Sequence, residues 1–276
     1  MMAQLVGYTV TDLMKTKTNW LEQIADVKRI NHGEKAMFRV QGNGITAFIQ
    51  AKGSTTARSK VSYKQAGLDT ISVSARPFVN IVEFQAGRVS MADLITQATD
   101  RMEAAYLGHI EGVLASAASS WSSPFYGSGS GIIAETIKAM SQHWMRTGGV
   151  TLLGDIRMCQ MLANESGFTH SEDAENELMR TGMIGYYYGA KVAQMNNPYG
   201  EDGVTPQMNI DRFYFLPSGA NVEGRPLKVV FEGSIESQDA TNIDDRTYEI
   251  RLDMDFGAGV FTGVTPQMGV YVDSNA

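Results

Sequence analysis

The sequence predicts an α+β fold, because strand-like and helical patterns occupy separate blocks of the chain. Short β-rich runs fill residues 35–84, one long helical pattern covers 91–118, and the alternation typical of a half-buried strand returns at 248–256. The chain has 276 residues, of which 43% are hydrophobic and 19% are charged. A chain of this size and composition can bury a sizeable core without disulfides or structural metals.

The first predicted element is an amphipathic helix near the N-terminus. Asn19 and Glu22 have the spacing of a capping box, and Trp20, Ile24 and Val27 lie on one stripe of the helix that would begin there. We expect this stripe to pack either on a neighbouring chain or on the body of its own subunit.

A long β-hairpin is predicted next. Residues 53–64 are rich in Gly, Ser, Thr and Lys, and few large apolar residues lie between Gln50 and Gln65, so the tip is expected to project from the subunit. The predicted strands around this tip are Met37–Val40, Thr46–Gln50, Ile71–Ala75 and Phe78–Phe84.

The clearest element is a long helix from Met91 to Ala118. Ser90 and Asp93 mark its start, and apolar residues then recur at alternating steps of three and four. At about 1.5 Å per residue, this helix spans roughly 40 Å. Gly108 and Gly112 fall inside it and predict close packing against another backbone.

A junction between two subdomains is predicted at Trp121–Gly131, where Ser, Gly and Pro are frequent. We interpret Gly127, Gly129 and Gly131 as part of a flexible linker. Beyond the junction, the patterns predict a helix containing Ile133, Ile137, Met140 and Trp144, a strand at Val150–Leu153, a helix at Ile156–Ala163, and strands at Ile184–Met195, Phe213–Leu216 and Tyr248–Phe256.

The sequence predicts no catalytic, cofactor or metal site. The four histidines lie far apart, and the glycines at 127–131 fit neither the dinucleotide fingerprint nor the P-loop. Strand alternation explains Asp253 and Asp255 as solvent-facing carboxylates. The acidic stretches 172–177 and 239–245 lack the spacing of an EF-hand, so we interpret both as solvated loops.

The lone cysteine and the hydropathy pattern indicate where the chain is made. Cys159 has no partner for an intramolecular disulfide, and no apolar run is long enough to span a membrane. No basic segment followed by an apolar one marks a signal peptide at the start of the chain. We therefore expect synthesis in an intracellular, reducing environment.

Charge divides the chain into a basic and an acidic part. Residues 1–88 contain 12 Lys and Arg against 6 Asp and Glu, whereas the remainder contains 11 against 24. Two interpretations are open: chance combined with solvated faces, or a basic arm of one copy that contacts an acidic surface of another.

The order of these elements resembles the major capsid proteins of tailed bacteriophages, which have the Hong Kong 97-type fold. Thr181–Gly185, Gly189–Val192 and Asn197–Pro198 are similar to the glycine-valine-proline pattern of that family's axial subdomain. Phe213–Phe215 is similar to the strand that follows it. The resemblance covers the chain from about Lys35 onward.

The resemblance implies a division of the chain and a function. The segments are an N-terminal arm (1–33), an extended β-hairpin loop (34–88), a peripheral subdomain with the spine helix (89–126), an axial subdomain around the capsomer centre (127–224), and the returning peripheral strands (225–276). The implied function is self-assembly into pentamers and hexamers of an icosahedral virion shell around double-stranded DNA. The shell would be built in the host cytoplasm, with scaffolding, portal and decoration proteins as further partners and no membrane.

Contacts between copies follow from the same resemblance. The expected contact residues are Lys52, Arg58, Lys60 and Lys64 in the extended loop, and Trp20, Ile24 and Val27 in the N-terminal arm. Some members cross-link a loop lysine to a peripheral asparagine. Asn242 is available for that, but no sequence pattern selects it. Because this short chain begins Met1-Met2, we expect any scaffolding to come from a separate protein.

Two alternatives stay open at the level of the sequence. Encapsulins, which are cellular compartments of the same fold, enclose protein cargo instead of DNA. A small-molecule enzyme with a site built from scattered residues belongs to a different class. One feature has no assigned role, namely the hexapeptide Gly203–Met208, which recurs at Gly263–Met268.

Overall fold

The computed structural model describes residues 2–18, 21–41, 58, 63–146, 148–165, 171–200, 202–217, 224–242, 246–261 and 268–275. These residues form two β-sheets, a separate two-stranded hairpin and seven helices. In chain order the elements are α1 (Met2–Thr18), α2 (Leu21–Ile24), β1 (Ala25–Ile30), β2 (Ala36–Gln41), β3 (Tyr63–Leu68), β4 (Ile71–Ala75), β5 (Phe78–Asn80), α3 (Ile81–Gln85), α4 (Met91–Ala118), β6 (Tyr126–Gly129), α5 (Ala134–Met145), β7 (Val150–Gly154), α6 (Ile156–Ala163), α7 (Glu172–Thr181), β8 (Tyr186–Tyr187), β9 (Ala190–Gln194), β10 (Arg212–Pro217), β11 (Leu227–Asn242), β12 (Thr247–Val260) and β13 (Gly269–Asp273).

The first sheet is built on the long antiparallel pair β11 and β12. Its order is β1-β11-β12-β4, and β5 also pairs with β12. The pairing register of β11 shifts between Glu232 and Glu236, where Gly233 has a φ of 66°. This β-bulge needs a glycine, since side chains disfavour positive φ. As the alternation predicted, Ile250, Leu252 and other inward residues of β12 are buried.

The long helix α4 covers one face of this sheet. It begins and ends where the sequence predicts, and Ser90 and Asp93 form the predicted capping box. Met102, Tyr106 and Ile110 are among its buried residues. Tyr106 packs edge-on against Phe256 of β12, with 5.3 Å between the ring centroids. The helix therefore supplies one side of the main core.

The second sheet has the order β6-β13-β10-β7-β9-β8. Successive side chains of a strand point to opposite faces, so β10 serves two cores. Phe213 and Phe215 pack with α5 and α6, whereas Tyr214 and Leu216 belong to the main core with α4. The sheet thus joins the two halves of the molecule.

The antiparallel hairpin of β2 and β3 pairs with neither large sheet. It spans Ala36–Leu68, so it is shorter than the expected loop of 34–88. β4 and β5, which the expected loop includes, pair with β12 of the first sheet. Most of the hairpin tip, including the strand expected at 46–50, lies outside the described residues.

Several local predictions are wrong because distant partners determine the structure. Val27 lies on β1, which pairs in parallel with β11, and not on a helical stripe. The strand expected at Phe78–Phe84 ends at Asn80, whose side chain caps α3 by accepting from the Val82 amide at 2.9 Å. Residues 172–177 begin helix α7, and residues 239–242 lie on β11, so these residues are not in loops. Residues 243–245 lie outside the described residues.

Within the Gly-rich junction, Tyr126–Gly129 form a packed strand and not a flexible linker. β6 pairs with β13, and a Cβ on Gly127 would lie 2.8 Å from Thr136 Cγ2. A Cβ on Gly129 would lie 2.2 Å from Ile133 Cδ1. Close approach of α5 therefore selects these glycines. The segment expected at 225–276 is also divided, because β13 belongs to the second sheet.

Close packing against another backbone, which the sequence predicts for the glycines of α4, is not seen at these positions among the described residues. A Cβ on Gly108 would lie 3.0 Å from the side-chain nitrogen of Gln207, while one on Gly112 would meet no atom within 4 Å. No helix of the described residues is long and apolar enough to cross a membrane.

Candidate intersubunit surfaces

The described residues hold no cluster of three or more His, Cys, Asp or Glu side chains arranged for a metal ion. Burial raises the pKa of the Cys159 thiol to about 12, so this cysteine is protonated at neutral pH. On the surfaces, exposed apolar and charged side chains indicate contacts with other molecules.

The hairpin is anchored firmly at its base. Phe38 of β2 is buried beside Val230, and its ring centroid lies 6.3 Å from that of Phe261. Lys228 lies 5.7 Å from the Phe38 ring and forms a buried ion pair with Asp26, with 3.0 Å between Nζ and Oδ2. A buried ion pair needs a fixed geometry to offset the loss of hydration. The base of the hairpin is thus held in a defined position.

The outer part of the hairpin is basic and exposed. Arg58 and Lys64 are both exposed, and Lys64 pairs with Val40 across the hairpin. The Arg39 guanidinium stacks 4.4 Å from the ring centroid of the exposed Tyr63. Lys52 and Lys60 lie outside the described residues. The structure thus places one expected contact residue, Lys64, on a well-defined strand.

The N-terminal helix packs on the chain's own body. Val6, Val10 and Met14 are buried in the main core, and a Cβ on Gly7 would lie 2.7 Å from Ser237 Oγ on β11. Val27 is half-buried against the same core. Of the other residues expected in this contact, Trp20 and the side chain of Ile24 lie outside the description.

Tyr8 lies on the face of α1 opposite these buried residues and is 71% exposed, whereas Leu13 flanks the buried stripe and is 39% exposed. Sequence periodicity alone did not single them out, because both faces of α1 contain apolar side chains. The exposed side of α1 around Tyr8 is a further surface that a second molecule can cover.

A polar network joins α4 to the loop between β9 and β10. Glu111 of α4 accepts hydrogen bonds from Tyr214 Oη at 2.6 Å and from Asn209 Nδ2 at 3.2 Å. About two helical turns before Glu111, Glu103 accepts a hydrogen bond from Asn196 Nδ2 at 2.9 Å. Burial raises the pKa of Glu111, although its hydrogen bond from Tyr214 and the nearby Arg212 oppose the rise. These contacts fix the two sheets relative to each other.

The far end of the first sheet has an exposed apolar surface, which we call the distal patch and define as Phe78, Ile81, Val82 and Phe84. Phe78 is 67% exposed and Val82 is 57% exposed. Although α3 is mostly apolar, it has no buried residue. The sequence pattern predicts a strand over these residues and therefore does not indicate this surface.

The edge of the second sheet exposes another group of large side chains. Met179 of α7 is 90% exposed and Tyr186 of β8 is 69% exposed. Lys138 of α5 lies 4.1 Å from the ring centroid of Tyr188, and its hydrogen bond with that residue raises the pKa of Lys138. These residues lie in the segment that the resemblance assigns to the axial subdomain.

Several solved structures of phage origin have folds similar to that of this chain. A structure from Mycobacterium phage Ogopogo aligns with a TM-score of 0.61 at 11% identity, covering 92% of this chain and 91% of the other. The capsid structure of the cyanophage P-SCSP1u gives 0.59 at 11% identity, with 91% and 87% covered. The mature capsid of bacteriophage PhiM1 gives 0.59 at 9% identity, with 92% and 86% covered. These likenesses show the fold and confirm the predicted Hong Kong 97-type architecture.

Sequence comparison identifies the family. No curated protein matches the chain significantly in sequence. A family profile described as "SPbeta prophage-derived putative capsid protein YonB" matches residues 2–272, which is nearly the whole chain. The chain therefore belongs to the YonB family of prophage-derived capsid proteins.

Proposed function

We propose that this capsid protein assembles as pentamers and hexamers into a closed icosahedral head that encloses double-stranded DNA. The observation that carries the proposal is the family match over residues 2–272. The role is structural and not catalytic. Scaffolding, portal and decoration proteins are its further partners, and the shell is assembled in the host cytoplasm.

The hairpin supplies a contact between neighbouring copies in this proposal. Its base is fixed by Phe38 and by the ion pair of Lys228 with Asp26, while Arg58 and Lys64 are exposed. Together with Lys52 and Lys60, they form a basic tip that rests on an acidic surface of the neighbour. Such exposed pairs contribute about 0 to 1 kcal/mol each, so they determine which surfaces meet more than how strongly they bind.

Expression of the chain with and without the scaffolding protein of the same phage tests the proposal. Electron microscopy and sedimentation are expected to show closed particles, and particles from infected cells are expected to protect double-stranded DNA from nuclease. Particles filled with protein and free of DNA would instead support the compartment function of encapsulins. Only monomers under every condition would contradict both shell functions.

A further inference from the structure

The direction in which the β2–β3 hairpin leaves the subunit depends on two connecting segments. Residues 31–35 join β1 to β2, and residues 69–70 join β3 to β4. Within the described residues, neither β2 nor β3 pairs with a strand of the two large sheets. Phe38 holds the base through apolar contacts, which are non-directional. The direction of the hairpin is therefore set by polar contacts of the connecting segments.

The half-buried carboxylate of Glu232 on β11 binds both connecting segments. The Gly33 amide of the first segment donates to Oε1 at 2.7 Å, and the Thr70 hydroxyl of the second donates to Oε2 at 2.6 Å. The hydrogen bond from Thr70, followed by that from Gly33, lowers the pKa of Glu232. The charged carboxylate, which is the stronger acceptor, is therefore the form that holds both segments at neutral pH.

The β-bulge of β11 brings a further part of the first segment beside Glu232. A Cβ on Gly233 would lie 2.1 Å from His32 Nε2, so the imidazole lies directly on the glycine backbone. The Lys35 ammonium lies 2.9 Å from the Asp69 carboxylate and links the two segments to each other. Both of these side chains are exposed, and such a pair contributes little. The Glu232 carboxylate thus lies where both segments meet β11.

We propose that Glu232 is a positioning residue for assembly, which fixes the direction of the hairpin in the free subunit before it meets a neighbouring copy. This inference rests on the proposed shell function, in which the hairpin contacts that neighbour. Pre-organisation of a projecting element reduces the conformational freedom that is lost on binding. A hairpin that takes the competent direction for about one tenth of the time would bind its neighbour about tenfold more weakly.

Spin labels measure the direction of the hairpin in the free subunit. Gln65→Cys on β3 and Gln238→Cys on β11 place labels at two exposed positions, while the native Cys159 is buried. Electron paramagnetic resonance should give one narrow distance distribution, which Glu232→Ala should broaden or shift while circular dichroism shows a folded subunit. Asp255→Ala, directly opposite Glu232 on β12, is the control and should leave the distribution narrow. An unchanged distribution in Glu232→Ala would overturn the proposal.

Two substitutions of Thr70 connect the direction of the hairpin to assembly. Thr70→Val removes the hydroxyl with little change in shape, whereas Thr70→Ser keeps it. Thr70→Val should broaden the distance distribution and raise the protein concentration needed for assembly by about tenfold, and Thr70→Ser should behave as wild type in both measurements. Equal behaviour of the two variants, or a broadened distribution with unchanged assembly, rejects the positioning role. Absence of wild-type particles would instead overturn the proposed function, and with it the role in assembly, whatever the distances show.

Discussion

At the scale of single residues, the buried ion pair at the base of the hairpin shows how two strands and a projecting element are tied together. Asp26 of β1 and Lys228 of β11 lie opposite each other in the parallel register, and both are buried. The Lys228 ammonium also lies near the Phe38 ring of the hairpin. One contact network therefore connects the edge of the first sheet to β2.

Removal of one partner of this pair should destabilise the subunit strongly. Asp26→Ala leaves the Lys228 ammonium buried without its carboxylate, and we expect a loss of about 3 to 5 kcal/mol in the free energy of unfolding. Asp26→Ala combined with Lys228→Met removes both charges and should recover most of that loss. Urea unfolding measures both variants. Equal stability of the single and double variants would show that the buried Lys228 charge does not cause the loss of stability.

Glu111 should make stability depend on pH. Burial raises the pKa of this carboxyl in the folded protein, so the folded state binds its proton more tightly than the unfolded state does. The resulting stabilisation is complete below the unfolded pKa of about 4.3 and is lost as the pH rises through the raised folded pKa.

The variant Glu111→Gln does not titrate at this position, while its amide oxygen can still accept from Tyr214. Its free energy of unfolding relative to wild type should therefore increase between pH 4 and pH 7. Urea unfolding of both proteins across this range measures the difference. If the difference in free energy of unfolding between the two proteins is constant with pH, or decreases as the pH rises, the raised pKa of Glu111 is contradicted.

At the scale of elements, local sequence signals determine some boundaries completely. β4, α4 and α6 begin and end as predicted, and α4 carries its own start signal in Ser90 and Asp93. The failures have a common cause. β1 pairs with residues about two hundred positions away, and that parallel pairing overrides the helical spacing of Val27. α7 was missed because its carboxylates were interpreted as a solvated loop.

The cap of α4 can be tested by substitution. Ser90→Ala removes the acceptor of the Asp93 amide, and we expect a loss of about 1 kcal/mol in the free energy of unfolding. Ser116→Ala, on the exposed face of the same helix, is the matched control and should cause no loss, because alanine favours the helix interior. Thermal or urea unfolding compares them. Equal effects of the two substitutions would argue against the cap.

At the scale of the whole molecule, the order of elements predicted the fold, but the surfaces could not be predicted to the same extent. Whether Phe78, Met179 or Tyr8 is exposed depends on which distant strands and helices cover it, and local patterns do not contain that information. The charge asymmetry was visible in the sequence, and the structure adds that Arg58 and Lys64 are exposed. The acidic surface on a neighbouring copy stays a prediction.

Reversal of charge at the hairpin tip tests that prediction. The double variant Arg58→Glu and Lys60→Glu should remain folded by circular dichroism but fail to close shells. The charge-conserving variant Arg58→Lys and Lys60→Arg should assemble normally. Because the Debye length falls from about 10 Å at 0.1 M salt to about 3 Å at 1 M, high salt should weaken wild-type assembly as well. Normal particles from the reversed variant at low salt would mean that the tip is only a solvated loop.

The central claim is that copies of this chain alone form the wall of a closed shell. Electron cryomicroscopy of particles purified from cells that express the chain with its scaffolding protein tests this claim most directly. The account predicts closed icosahedral particles in which every wall subunit is this chain and each β2–β3 hairpin lies on a neighbouring copy. Particles whose wall is made of another protein, or a preparation that contains only folded monomers, would contradict it.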